Sequence, residues 1–346
     1  MLRSKNVLSN QIMRFLLYFS MILGCALSLQ AQITVRPHVH HAHTHILWTP
    51  SKKPQRTTTQ KLSREEQFLV QIFLDEHGFG PGVIDGAMGS FSYQAVRYYY
   101  QSIGHPASSD LALVLGRAFR HMNLPCQSAT VPADLSHLVK PSLPHKYRIL
   151  ANYKSVPYRS YRELMAERYH TSEAVLNRLN PDRKLSALAP GESIIVPNVQ
   201  PFRIEDLPSA SYKPYQSVKG NHVVINVRQK SLVIYNNAGA VLAYYPVTTG
   251  VTHRVRYGDW KVANSVPNPH WKYTPGNSQS YIIPPGPNSP VGVIWNGLSA
   301  KSIGIHGTNS PETIGRSRSA GCIRLANWDV VKFVQHIRPG CKVKIQ

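Results

Sequence analysis

The rhythm of apolar and polar positions changes along the chain, and each change marks a segment. Between residues 63 and 122 it is helical. Ser63-Arg-Glu-Glu66 has the spacing of a capping box, in which the serine hydroxyl and the glutamate carboxylate satisfy orphan N–H groups of a first helical turn. Phe68, Leu69, Ile72 and Phe73 then recur at helical spacing. His77-Gly-Phe-Gly-Pro-Gly82 is too dense in glycine and proline to continue a helix. Further helices are predicted over Tyr93–Ser102 and Leu111–His121. The Tyr98-Tyr-Tyr100 run fits a packed core or a sugar platform equally well.

Residues 123–146 are punctuated by proline and predict a linker. Residues 147–198 then predict strand, helix, helix, strand. Tyr161–Tyr169 and Ser172–Leu179 are amphipathic, Asn180-Pro181 stops the second helix, and Pro190-Gly191 turns into a closing strand that ends at Pro197. A second linker spans 199–218. From Asn221 the pattern is β: His222–Val227, Leu232–Tyr235, Val241–Thr248, Gly258–Val266, Val291–Trp295, Ile303–His306 and Lys342–Ile345. Asn236-Asn-Ala-Gly239 is a natural hairpin turn. A single helix, Trp328–Arg338, is expected with Asn327 as its cap and Pro339-Gly340 at its end. The whole reads as a multidomain α+β protein whose residues 219–346 form a β-rich, sandwich-like domain.

The first 31 residues have a different character. A basic, polar start is followed by the apolar run Phe15–Leu29 and then small residues, the layout of a secretory signal peptide. The run is short for a membrane span, so a retained anchor is the lesser alternative. Ile22-Leu-Gly-Cys25 loosely resembles a lipobox, which leaves a lipid anchor on Cys25 as a third reading. Export to the periplasm or cell envelope is expected in each case. Residues 32–62 cluster His38, His40, His41, His43 and His45 among Pro, Lys and Thr without apolar period, and read as a linker with no bound metal.

Composition sharpens this outline. A net charge of +22 calls for anionic partners. No nucleic-acid-binding motif accompanies the charge, and an exported chain would not meet nucleic acid, so none is expected as a partner. Four cysteines occur, at 25, 126, 322 and 341. Cys126 and Cys341 could pair, although Cys341 more readily reads as a small buried residue beside the last strand.

The chemistry concentrates at His306 and Cys322. A thiolate is a strong nucleophile, and imidazole is the usual group that makes one. Histidine precedes cysteine, the reverse of the papain order, and lies on Ile303-Gly-Ile-His-Gly307, a short strand ending at glycine. His306 can serve as the base and return the proton to a leaving amine. Its other ring nitrogen needs an orienting acceptor, and the backbone carbonyl of Gly307 is adjacent. Ala320-Gly321-Cys322 supplies consecutive N–H groups suited to an oxyanion. Arg324, two positions past the nucleophile, falls on the same side of an extended chain and could grip a carboxylate. Arg316 and Arg318 add charge. Ser319 is a substrate-side hydroxyl or a tie within the loop. No metal or cofactor is expected.

These motifs resemble known families. Ile305-His-Gly-Thr-Asn-Ser-Pro-Glu-Thr-Ile-Gly315, Ser319-Ala-Gly-Cys-Ile-Arg-Leu325 and Pro285-Gly-Pro-Asn-Ser-Pro-Val-Gly292 resemble the L,D-transpeptidase catalytic domain of the YkuD type. Residues 63–122 resemble a three-helix peptidoglycan-binding domain through Gly78-Phe79, Pro81-Gly82, Asp85-Gly86, Gly89, Ala95-Val96 and Gly104. Residues 147–198 resemble a LysM module of βααβ form through Tyr147, Leu164, Ala166, Tyr169, Leu176, Asn180, Gly191, Ile194, Val196 and Pro197, with Arg159-Ser-Tyr-Arg162 where that family carries Gly-Asp-Thr-Leu. The resemblance implies that Cys322 attacks the meso-diaminopimelate–D-alanine bond of a tetrapeptide stem, releases D-alanine and passes the acyl group to an amine. The amine would belong to another stem, giving a 3-3 cross-link, or to an envelope lipoprotein. Water in its place would make the enzyme an L,D-carboxypeptidase. A different wall cysteine peptidase and a silent wall-binding protein are the remaining alternatives. Peptidoglycan stems and glycan strands are the implied partners, and carbapenems the implied inhibitors.

Overall fold

The computed structural model describes residues 61–207, 218–276, 279–317 and 319–346. The expected signal peptide with Cys25, the His-rich linker up to residue 60, half of the linker at 199–218, and Arg318 lie outside them.

Helix α1 (Arg64–Glu76) begins with the expected capping box: Glu66 N–H donates to Ser63 Oγ at 3.2 Å, and Ser63 N–H to Glu66 Oε2 at 2.7 Å. Every residue from Phe68 to Asp75 is buried, because α1 is covered on two sides. Leu69, Phe73 and Leu74 pack with α2 (Ser90–Ser102) and α3 (Ala112–His121). Phe68 and Ile72 pack on the opposite side against Leu164, Met165 and Leu176 of the next module. The tyrosine run is core rather than platform: Tyr99 and Tyr100 are buried, and Tyr98 stacks on Tyr244, with centroids 5.0 Å apart.

The next module departs from the expected order. Its first strand is β1 (Cys126–Thr130), inside the stretch expected as a linker, and it pairs antiparallel with β2 (Ser193–Pro197). Tyr147 opens a short helical turn, α4 (Tyr147–Leu150), in place of a strand. Helices α5 (Tyr161–Arg168) and α6 (Glu173–Leu179) follow as expected, each capped by a serine hydroxyl, Ser160 and Ser172. Asn180 ends α6 and ties it to β2, donating from Nδ2 to Ile195 O and accepting from Ile195 N–H.

The C-terminal domain is one curled, mixed sheet of eight strands rather than two separate layers. Its members are β3 (His222–Asn226), β4 (Ser231–Tyr235), β5 (Val241–Pro246), β6 (Gly258–Pro267), β9 (Ile294–Leu298), β10 (Gly304–His306), β11 (Ile323–Arg324) and β12 (Lys342–Ile345), in the order β11-β10-β9-β6-β12-β3-β4-β5. The ten-residue β6 joins the halves. It pairs with β12 through Gly258–Lys261 and with β9 through Val262–Pro267, bending at a bulge between Val262 and Asn264. A small hairpin, β7 (Trp271–Tyr273) and β8 (Tyr281–Ile283), stands outside the sheet. Helix α7 (Asn327–Gln335) covers one face, burying Trp328, Val330, Phe333 and Val334. Its N-cap is Ala326, so Asn327 is not a cap; its side chain is used elsewhere.

The glycine-rich break after α1 protects an edge of this sheet. Gly80 N–H donates to Tyr244 O, and Tyr244 N–H to Gly78 O, so Gly78–Gly80 covers the outer side of β5. The second module grips the sheet through the loop before β9. Val156 exchanges backbone bonds with Pro285 and Asn288, Asn288 Nδ2 donates to Pro157 O at 2.8 Å, and Arg159 Nη1 donates to Asn288 Oδ1 at 3.0 Å. Gly286 is required there, since its φ is +139° and a Cβ would overlap the Val156 backbone. Cys126 and Cys341 lie in different cores and both are free thiols, so the considered pairing does not form.

Candidate active site

Strands β10 and β11 run parallel, with Ile305 opposite Ile323 and His306 opposite Arg324. Because side chains alternate, His306 and Arg324 share a face, and Cys322, next before β11, falls on that face beside Gly304. The sixteen-position separation of histidine and cysteine thus closes into two adjacent strands. The nucleophile's loop is pressed against residues 248–251. Ser319 N–H donates to Thr249 O, Val251 N–H to Ser319 O, and Arg324 exchanges two backbone bonds with Thr248. Gly321 has φ +132°, and Gly250 approaches it so closely that a Cβ on Gly250 would fall 2.7 Å from Gly321 Cα. Neither position tolerates a side chain without moving the loop.

His306 is buried, and its Nδ1 meets Gly307 O at 2.7 Å. A carbonyl only accepts, so in the neutral ring the proton sits on Nδ1 and Nε2 carries the lone pair. The Trp295 indole stacks on the imidazole, with centroids 5.4 Å apart and planes within 20°. Trp295 faces His306 across the β9–β10 pair, and the same indole fills the space over Gly304, where a Cβ would meet its carbons at 2.5 Å. Sequence reading missed Trp295. The antiparallel register of two short strands was the signal that could have found it.

Cys322 is half-buried, and its Sγ lies 3.8 Å from Ser302 O, with no hydrogen bond to His306 among the described residues. Gly321 N–H is already committed to Ser319 Oγ at 3.1 Å, and Ser319 Oγ donates in turn to Cys322 O. Ser319 is buried and spends its hydroxyl on the nucleophile's own loop, where it acts as a brace. Ala320 is exposed. Arg324 is half-buried, and its Nε is shielded from water with no partner among the described residues. Arg316 is exposed on the loop between His306 and Cys322.

The electrostatics fix the resting protonation state. Burial pushes the Cys322 thiol up, while the Gly304 N–H and the Arg324 charge pull the other way without prevailing. His306 is pulled down to about 4, by burial above all; the Gly307 carbonyl opposes this, Arg324 adds to it, and the Val291 carbonyl opposes it again. At neutral pH the pair is therefore a thiol and a neutral imidazole, ready for proton transfer. Alkylation of Cys322 by iodoacetamide is expected to climb about tenfold per pH unit from about pH 5.5 to 8.5, as the thiolate fraction grows. Peptide mass spectrometry resolves it from Cys126 and Cys341, whose thiols burial raises to about 12 and about 11. A plateau across neutral pH would reveal a resting thiolate–imidazolium pair instead.

The YkuD family, described as the L,D-transpeptidase catalytic domain, matches residues 220–345. "Putative L,D-transpeptidase YqjB" of Bacillus subtilis is 35% identical over 131 residues, covering 36% of this chain and 70% of that protein. "Putative L,D-transpeptidase YkuD" of the same organism is 29% identical over 182 residues, 52% of this chain and 90% of that protein. Among solved structures, L,D-transpeptidase 3 from Mycobacterium tuberculosis aligns with a TM-score of 0.31 at 14% identity, over 37% of this chain and 61% of that one. With His306 and Cys322 both inside the matched domain, the chain belongs to the L,D-transpeptidase family.

Proposed function

We propose that this enzyme is exported to the cell envelope and acts on peptidoglycan tetrapeptide stems. The observation that carries the reading is the shared face of β10 and β11, where a thiol, a neutral imidazole with its proton held on Nδ1, and an unpaired guanidinium nitrogen stand together. In this reading the Cys322 side chain turns from Ser302 O towards Nε2. Sγ passes its proton to His306 and attacks the carbonyl between meso-diaminopimelate and D-alanine. The Cys322 N–H supports the oxyanion. His306 returns the proton to the departing amine, D-alanine leaves, and a thioester remains. An acceptor amine then attacks, gives its proton to His306, and the thioester bond breaks with Cys322 reprotonated. Arg324 receives a stem carboxylate.

The upstream segments agree with such a substrate. A three-helix block at 63–122 and a module of two paired strands and two helices precede the catalytic domain and are read here as wall-binding parts, and the 182-residue alignment with a Bacillus subtilis relative extends beyond the catalytic match. The net charge of +22 suits anionic wall polymers. Carbapenems, which mimic an acyl donor, are expected to acylate Cys322.

The test incubates the mature protein with tetrapeptide muropeptides and reads the products by mass spectrometry. Release of D-alanine with a 3-3 dimer is the expected outcome, and the dimer becomes a conjugate if the favoured amine belongs to an envelope lipoprotein. Release without transfer assigns an L,D-carboxypeptidase, and cleavage elsewhere in the stem another wall peptidase. No turnover and no carbapenem adduct would sink the catalytic reading.

A further inference from the structure

The second module reaches the back of the catalytic histidine. Glu167, on α5, is buried, and its Oε1 accepts from Asn327 Nδ2 at 2.7 Å while Oε2 accepts from the Tyr158 hydroxyl. Asn327, wholly buried at the start of α7, uses its Oδ1 to accept from Val293 N–H at 3.1 Å. The same oxygen lies so close to Gly292 and Gly307 that a Cβ on either would overlap it. Gly307 supplies the carbonyl that fixes the His306 tautomer. Val291, whose carbonyl also acts on the imidazole, begins the stretch that Asn327 holds at Val293. One buried amide therefore braces both backbone pieces that flank the imidazole, and a carboxylate 160 positions away in another module sets that amide's orientation.

We infer that Glu167 is a positioning residue for the transpeptidase reaction, acting through Asn327 on Gly307 and so on His306. The inference rests on His306 as the proton acceptor proposed above. It makes the upstream module part of the catalytic apparatus and not only a tether to the wall. Without the Glu167 acceptor, Asn327 keeps a buried N–H with no partner, and its side chain has reason to turn. The Gly307 carbonyl then loses its fixed place and Nδ1–H its acceptor. Burial pushes the Glu167 carboxyl up to about 7, against the hydrogen bonds from Tyr158 and Asn327 and with a smaller push from Glu163. It accepts the Asn327 bond whether or not Oε2 carries a proton, so a neutral isostere should serve.

The test is steady-state kinetics of the full-length enzyme on tetrapeptide muropeptide donor. Glu167→Ala is expected to lower kcat about 10-fold with KM within about twofold, less than the 10²-fold that a whole ångström of misplacement costs. The module stays docked in this variant through the Val156, Pro157 and Arg159 contacts to residues 285–288. Glu167→Gln keeps an oxygen for Asn327 and is expected to restore kcat to within about threefold of wild type. Asn327→Ala should match Glu167→Ala, and the double variant should lose no more than either alone, the sign of one shared pathway. Ring ¹⁵N shifts of His306, assigned with His306→Gln, report its tautomer without any turnover and should move in Glu167→Ala. A kcat within twofold of wild type, a loss confined to KM, Glu167→Gln as impaired as Glu167→Ala, or unchanged ring shifts would each overturn the inference. Loss of turnover in the wild-type enzyme, with the ring shifts still responding to Glu167→Ala, would instead count against the parent reading of His306 and Cys322.

Discussion

Cys322→Ala is expected to lower kcat at least about 10⁴-fold while leaving the thermal midpoint nearly unchanged. Half-buried at the end of a loop, the side chain fills little of the core. Its neighbours Ser319, Gly321 and Arg324 are fixed by hydrogen bonds that do not involve Sγ. The loss is therefore chemical: without Sγ no thioester forms. Cys322→Ser is expected to be nearly as inactive, because a histidine held near 4 is too weak a base for a hydroxyl, far less acidic than a thiol. Intact mass after carbapenem treatment should show an adduct on wild type and none on Cys322→Ala. D-alanine release by Cys322→Ala above about one thousandth of the wild-type rate would mean that another group is the nucleophile.

The candidate site was legible as a cluster because its parts are local. His306, Gly307 and the Ser319–Arg324 loop occupy one short stretch, and parallel pairing of two brief strands brings that stretch together. The first helix was legible for a similar reason, since its capping box is read within four residues. What failed depended on distant partners. Cys126–Thr130 contains a single β-branched residue and two nearby prolines, so nothing local marks it as a strand; its partner, β2, begins 63 positions on from Thr130. Asn327 stands where a cap would stand, but its amide is drawn off by Glu167 and Val293, and Ala326 takes the cap position. The two layers expected of a sandwich become one sheet because β6 is long enough to pair at both ends, which no periodicity within β6 reveals.

The same dependence on distance produces the largest expected change in stability, from Asp75→Ala. Asp75 Oδ2 accepts from Lys332 Nζ at 2.6 Å and from His170 Nδ1 at 2.9 Å, joining the last turn of α1 to α7 of the catalytic domain and to the turn after α5. His170 also stacks on Trp328, with centroids 5.1 Å apart, so all three modules meet there. Burial alone would raise the Asp75 carboxyl; Lys332 and His170 overcome it and hold the group well below the usual carboxylate range. Asp329, buried nearby, goes the other way: burial and the Asp75 charge raise it, only partly offset by Lys332, so one carboxyl is ionised and its neighbour protonated at neutral pH. Removing the Asp75 carboxylate leaves the buried His170 N–H without its acceptor and leaves Lys332, which still donates to the residue-75 carbonyl, without its counter-charge, which costs about 3–5 kcal/mol. For a chain of this size that amounts to about 4–7 °C in the thermal midpoint, read by circular dichroism, with faster proteolysis between α1 and the catalytic domain. Asp329→Asn, replacing a group that is already uncharged, should shift the midpoint by no more than about 2 °C. Equal losses from the two variants would mean that the joint is held by packing around Trp328 and not by the Asp75 charge.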